Sequence, residues 1–161
     1  MRVGNGYDVH RFRADDPGPL RLGGIEIAGV PRLDGHSDGD ALIHAVIDAL
    51  LGAAGEGDIG QHFPPGEPEY EDIDSRELLR RVTRLIVARG CRVQNVDATV
   101  IAERPRLADH LFAMREAIAS ALGLEPRQVN VKATTNEGLD AVGAGEAIAV
   151  LAVALVEDEV P

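Results

Sequence analysis

Polar and apolar positions alternate with a period of two from the start of the chain. Residues 3–12 (VGNGYDVHRF) read as a strand, which puts Asp8 and His10 on one face. Residues 20–28 (LRLGGIEIA) predict two short strands around Gly23-Gly24, a hairpin signal. The period then changes. Residues 40–54 (DALIHAVIDALLGAA) carry Leu42, Val46, Leu50 and Ala53 at helical spacing, and this helix ends near Gly55 or Gly57. Residues 58–73 (DIGQHFPPGEPEYEDI), with three prolines and several carboxylates, predict a long surface loop without a regular element, the kind of segment that often carries function. Asp74-Ser75-Arg76-Glu77 has capping-box spacing and opens a helix through Ala88, closed by Gly90. Residues 91–103 predict a strand or strand pair, in which Val96, Ala98 and Val100 alternate with Asn95, Asp97 and Thr99. A third helix spans about 108–122, up to Gly123. Val129, Val131 and Ala133 then alternate with Asn130, Lys132 and Thr134 in another strand. Residues 147–156 (AIAVLAVALV) are apolar on both faces and predict a strand buried on both sides.

This order of elements predicts an α/β (α+β layered) fold, a mixed β-sheet with helices packed on one face. In that arrangement a doubly apolar strand is covered by helices on one side and by a partner subunit on the other, so a homo-oligomer is expected. The competing arrangement is a central strand between two helical layers. With 161 residues, 45% of them hydrophobic, and no linker or repeat, residues 1–161 are expected to form one domain. Aromatic residues make up 3% and Trp is absent, so the core must be aliphatic. The net charge of −11 argues against nucleic acid as a partner, and an anionic substrate would have to be held by local donors or metal ions. There is no apolar run long enough to span a membrane and no signal-peptide pattern, so a cytoplasmic protein without a membrane partner is expected. The single cysteine, Cys91, excludes an intrachain disulfide and reads as a small buried apolar residue.

Candidate chemistry gathers around two polar clusters. Asp8, His10 and His44 supply a carboxylate and two imidazoles, a set suited to zinc with its fourth position open; a closed structural site would call for cysteines. His36-Ser37-Asp38-Gly39-Asp40 directly precedes a helix, where backbone N–H groups and the helix dipole favour a phosphate. Ser37, Asp38 or Asp40 could equally serve as an N-cap, and the two roles are compatible. Asp40, His44 and Asp48 fall on one helical stripe, so Asp48 either accepts the second ring N–H of His44 or is a solvated helix residue. In Thr134-Thr135-Asn136-Glu137 the spacing fits a plain capping box. It fits equally a phosphate-binding hydroxyl with Lys132 beside it and Glu137 on a hard cation such as Mg²⁺.

Four segments, GYDVHRF (6–12), GHSDGDALIHAVIDALLGAAGEGDIGQHFP (35–64), IAERPRL (101–107) and VNVKATTNEGL (129–139), together resemble the 2-C-methyl-D-erythritol 2,4-cyclodiphosphate synthase family across nearly the whole chain and in the same order. The resemblance implies conversion of 4-diphosphocytidyl-2-C-methyl-D-erythritol 2-phosphate to the 2,4-cyclodiphosphate with release of CMP. It further implies a homotrimer with the sheets toward the threefold axis and the active site between subunits. Carried over by position, it makes Asp8, His10 and His44 zinc ligands, gives Glu137 a share in a second cation (Mg²⁺ or Mn²⁺), and assigns transition-state positioning to His36 and Thr135. Ser37 would lie beside the phosphate. Asp58, Ile59 and Gly60, with the loop of Phe63, Pro64, Pro65, Gly66 and Glu67, would cover the methylerythritol. The run Ala102, Glu103, Arg104, Pro105, Arg106, Leu107 and Ala108, with Thr134, would receive the cytidine and its phosphates. Asp40, Asp48 and Lys132 would stand behind these groups. The chain departs from the family pattern at Pro65, where an Asp is common, at Arg106, where a Lys is common, and at Ala141 and Ala144, where Phe and Arg often line a cavity on the trimer axis. Two other function classes fit the same residues: a metal-dependent phosphoesterase with water as nucleophile, and a non-catalytic zinc-binding trimeric scaffold.

Overall fold

The computed structural model describes residues 1–158. Its elements run β1 (Arg2–Arg11), the hairpin β2 (Leu20–Leu22) and β3 (Ile25–Ile27), α1 (Ala41–Ala54), a short α2 (Ile59–His62), α3 (Ser75–Ala88) and β4 (Cys91–Ile101). There follow α4 (Leu111–Leu122), β5 (Val129–Thr134), a short α5 (Asp140–Gly143) and β6 (Ala147–Asp158). The main sheet has the order β1-β6-β4-β5, with β6 antiparallel to both neighbours and β4 parallel to β5. Parallel pairing needs a crossover, and α4 supplies it.

Helix α1 is apolar around its whole circumference, and every residue in it except Asp48 and Gly52 is buried. It lies directly on β1. A Cβ at Gly4 would stand 2.1 Å from the Ala49 carbonyl oxygen, and one at Gly6 would stand 2.0 Å from that of Ala45, so only glycine admits the helix backbone this close. Ala45, Ala49 and Ala53, four residues apart, form the matching ridge. Asp8 and His10 continue the face that Gly4 and Gly6 begin, so the same contact lowers the first turn of α1 onto them. Amphipathic α3 buries Leu78, Leu79, Val82 and Ile86, and α4 adds Met114, Ile118 and Leu122 to the layer.

The three long helices, α1, α3 and α4, cover one face only. Along β6, Ile148, Val150, Ala152, Ala154 and Val156 are buried beneath them, while Leu151 and Val153 are 48% and 46% exposed. Val3, Tyr7 and Val9 of β1 are also exposed. The last strand is therefore buried on both sides only over Ala147–Val150, where Val142 of α5 packs on Ala147 and Ala149; from Leu151 on its second face is open, and an arrangement with two helical layers is excluded.

Other expectations need correction. The 58–73 segment contains α2, because the Asp58 carboxylate accepts from Gln61 N and starts a turn, and it contains a 3₁₀ turn over Pro68–Tyr70. Asp74 caps α3 by accepting from Arg76 N, and Glu77 pairs with Arg80 and Arg84 instead of closing a capping box. Residues 91–101 form one strand with a bulge at Gln94. The helix expected from about 108 begins at Leu111, because a turn from Leu107 to His110 precedes it. After Thr134 the chain does not enter a helix, and Glu137 has a left-handed φ of 51°, so the capping-box alternative fails there. Among the described residues, no helix is long and apolar enough to cross a membrane.

Candidate metal centre

Strand β1 supplies Asp8 and His10, and the first turn of α1 supplies His44. Their facing atoms form a small triangle: His10 Nε2 to Asp8 Oδ2 is 2.8 Å, His44 Nδ1 to Asp8 Oδ2 is 3.2 Å, and His44 Nδ1 to His10 Nε2 is 3.3 Å. Ligands about 2.0–2.1 Å from a tetrahedral zinc stand roughly 3.3 Å apart, so this donor set fits that ion. The outer edge of each ring explains the direction of its inner lone pair. His10 Nδ1 donates to the Asp34 carbonyl, brought alongside where Asp34 N bonds the Arg11 carbonyl. His44 Nε2 lies 3.0 Å from both Ser37 Oγ and Ser75 Oγ. Two ring lone pairs and a carboxylate thus converge, an arrangement that calls for a cation. Burial opposes ionisation of Asp8, yet the rings of His10 and His44, which donate to it when protonated, pull its pKa down to about 2. Burial likewise opposes protonation of His10, but its bond to Asp8, the Asp8 charge and the carbonyl and charge of Asp34 together outweigh this and raise its pKa.

Of the residues expected behind the ligands, Asp48 does not reach His44; its carboxylate accepts from Ile59 N at 2.8 Å and anchors α2. Asp40 is fully buried and turned toward the hairpin, accepting from Gly23 N, Gly24 N and Ile43 N. Lys132 pairs with Asp97 on the open face of the sheet at 2.5 Å. The residues that do stand behind His44, Ser37 apart, were not recognisable in the sequence. Ser75 looked only like part of a cap, and Asp38, which accepts from it, lies 37 positions earlier.

His36 receives the 64–67 turn, with Gly66 N donating to its Nε2 at 3.2 Å, so the loop expected to cover the substrate closes over that ring. Phe63 stacks edge-on against Tyr70 and holds the loop to the core. Across the sheet, Ala102, Glu103, Pro105, Arg106, Leu107, Ala108, Thr134 and Thr135 line one cavity of about 280 Å³, joined by Ala133 and Leu111, which sequence reasoning missed. Arg104 is not part of it; its guanidinium donates to the Gly145 carbonyl, beside a larger cavity of about 520 Å³ that does not include the triad. Glu103 accepts from Asn136 N and Gly138 N, shaping the turn that carries Glu137, and Thr135 Oγ1 donates to Glu137 Oε1 at 3.2 Å. The triad and the Thr134–Glu137 cluster lie at opposite edges of the sheet, with β6 and β4 between them.

A model of the YgbB family matches residues 1–157. The 2-C-methyl-D-erythritol 2,4-cyclodiphosphate synthase of Gloeobacter violaceus is 55% identical over 158 residues, covering 98% of this chain and 96% of the relative. That of Pseudomonas syringae is 56% identical over 155 residues, covering 96% and 98%. Among solved structures, the bifunctional IspDF from Campylobacter jejuni is similar with a TM-score of 0.91 at 41% identity, covering 96% of this chain and 42% of that longer one. A CDP complex of IspF from Plasmodium falciparum has a TM-score of 0.85 at 34% identity, covering 99% of this chain and 97% of that one.

Proposed function

The chain belongs to the YgbB family, that of the 2-C-methyl-D-erythritol 2,4-cyclodiphosphate synthases, and on that footing we propose that it converts 4-diphosphocytidyl-2-C-methyl-D-erythritol 2-phosphate to the 2,4-cyclodiphosphate with release of CMP. The observation that carries this reading is the convergence of Asp8, His10 and His44 on one point beside the Ser37–Asp40 turn. An oxygen of the substrate's 2-phosphate attacks the β-phosphorus in line, and CMP leaves with the electrons of the broken P–O bond. Because the nucleophile is part of the substrate, the protein's task is positioning and charge stabilisation.

Asp8, His10 and His44 would hold zinc and Glu137 would contribute to Mg²⁺ or Mn²⁺, ions that polarise phosphate oxygens and neutralise a polyanion on a chain of charge −11. Ser37 Oγ orients a phosphate oxygen beside His44. His36 and Thr135 align the reacting groups, and the loop over His36 limits access of water. The cavity of Ala102–Ala108 and Thr134 receives the cytidine, in keeping with the CDP found in the Plasmodium falciparum relative.

The active unit is a homotrimer with each site shared between neighbours. Two observations support this. An open sheet face bears Val3, Tyr7, Val9, Leu151 and Val153. The two halves of the site also sit three strand spacings apart within one chain, about 14 Å, too far for one diphosphate to touch both.

Purified protein incubated with the substrate, Zn²⁺ and Mg²⁺ and followed by ³¹P NMR is expected to yield CMP and the cyclic diphosphate together. CMP with a linear product would mean attack by water, the phosphoesterase chemistry. Zinc-loaded protein without turnover would reduce it to a metal-binding scaffold.

A further inference from the structure

The ring of His44 is held from behind by an acceptor whose direction is fixed one residue further out. Ser75, the first residue of α3, is fully buried, and its hydroxyl has a single hydrogen. Asp38 Oδ1 lies 2.5 Å from that oxygen, and a carboxylate can only accept, so the hydrogen goes to Asp38. Toward His44 Nε2, 3.0 Å away, Ser75 Oγ therefore presents a lone pair. Nε2 must then carry the ring hydrogen, which leaves Nδ1 bare on the side that faces Asp8 and His10. The opposite orientation of the hydroxyl would place a hydrogen on Nδ1, where a metal must bind. One hydroxyl decides between a ring ready for the ion and a ring that blocks it.

Asp38 is built to hold this direction. It is 5% exposed; Oδ1 also accepts from Asp40 N at 3.2 Å, and Oδ2 accepts from Ser75 N at 3.0 Å. Its own N–H donates to the Ile73 carbonyl, which ties it to the start of α3. The Arg21 guanidinium stands 3.8 Å from Oδ2, at the edge of a polar cavity of about 420 Å³. Asp74 is the N-cap of α3, and Asp38 Oδ2 satisfies the free N–H of Ser75 beside it, which leaves Oδ1 for the hydroxyl.

We infer that Asp38 and Ser75 are positioning residues of the metal centre, which fix the His44 tautomer so that Nδ1 is the ligand and leave the Ser37 hydroxyl hydrogen free for a substrate phosphate oxygen. The inference rests on the reading of the triad as a zinc site. Outer partners of metal-bound histidines typically change metal affinity by about 10- to 100-fold.

The test uses the full chain with Ser75→Ala and Asp38→Asn, titrated with Zn²⁺ against a chromophoric chelator, and imidazole ¹⁵N NMR on the zinc-free proteins. Ser75→Ala is expected to weaken zinc binding by about 10- to 100-fold and to raise the share of His44 rings protonated at Nδ1. Asp38→Asn has the same expected direction, because either orientation of its amide sets an N–H against the N–H of Ser75 or against its hydroxyl. If Ser75→Ala does not fold, Asp38→Asn decides by the same two readouts. Wild-type zinc affinity with an unchanged His44 tautomer in the variants, alongside wild-type protein that binds zinc, would overturn this inference alone. Wild-type protein that takes up no zinc would overturn the reading of the triad, and this inference with it.

Discussion

At the candidate metal centre, single residues set how protons and a bound ion would compete. In the metal-free site His10 is protonated more readily than an ordinary imidazole and Asp8 less readily than an ordinary carboxyl. The raised His10 contributes stability that is complete below pH 6.5 and lost as pH rises past its shifted value. The lowered Asp8 contributes stability present above pH 3.8 and lost as pH falls toward 2. Zinc held there, as proposed, would have to displace the proton on His10, so affinity would run the other way. Zinc is expected to bind at least about fourfold more weakly at pH 6 than at pH 8, the ratio an imidazole at its ordinary 6.5 would give, as read by chelator competition. Over the same interval the zinc-free protein should lose thermal stability that His10→Ala lacks throughout. Asp40 acts on folding instead: three backbone N–H groups from two elements end on its buried carboxylate, whose pKa burial and the Asp38 charge push up. Asp40→Ala is expected to cost about 3–5 kcal/mol in chemical denaturation.

At the scale of elements, the close contact of α1 with β1 sets the position of His44. An added methyl at Gly6 meets the Ala45 carbonyl one residue from His44, so Gly6→Ala must lift the helix at the point where it carries the proposed ligand. The expected result is a loss of about 1–3 kcal/mol on unfolding, together with weaker zinc binding measured on the folded fraction. Much of this scale was legible in the sequence. The two-residue period of 3–12 puts Asp8 and His10 on one face, and the Ala-rich helix after Asp40 brings His44 to them. What stayed hidden depends on packing between distant segments. Four-residue α2 leaves no period to read among prolines, and Asp38 and Ser75 meet only because α3 starts beside the turn before α1. Asp48 shared a stripe with His44, but spacing could not show that Ile59 N lies nearer.

For the whole molecule, the bare face of the sheet and the separation of the two proposed half-sites at its edges both favour the proposed homotrimer. Val153→Asp sets a charge in the middle of the exposed apolar surface while leaving the helical layer untouched. If the proposed homotrimer forms through this face, light scattering should then report monomers, and turnover should fall with it. The division between edges has a consequence for mixtures. His44→Ala disables a chain at the β1 edge and Glu137→Ala disables one at the β5 edge, so each variant alone is expected to be inactive. Unfolded together and refolded at equal amounts, chains drawn at random into rings would pair an intact β1 edge with an intact β5 edge at about a quarter of the junctions. Two inactive proteins would in this way restore turnover to each other.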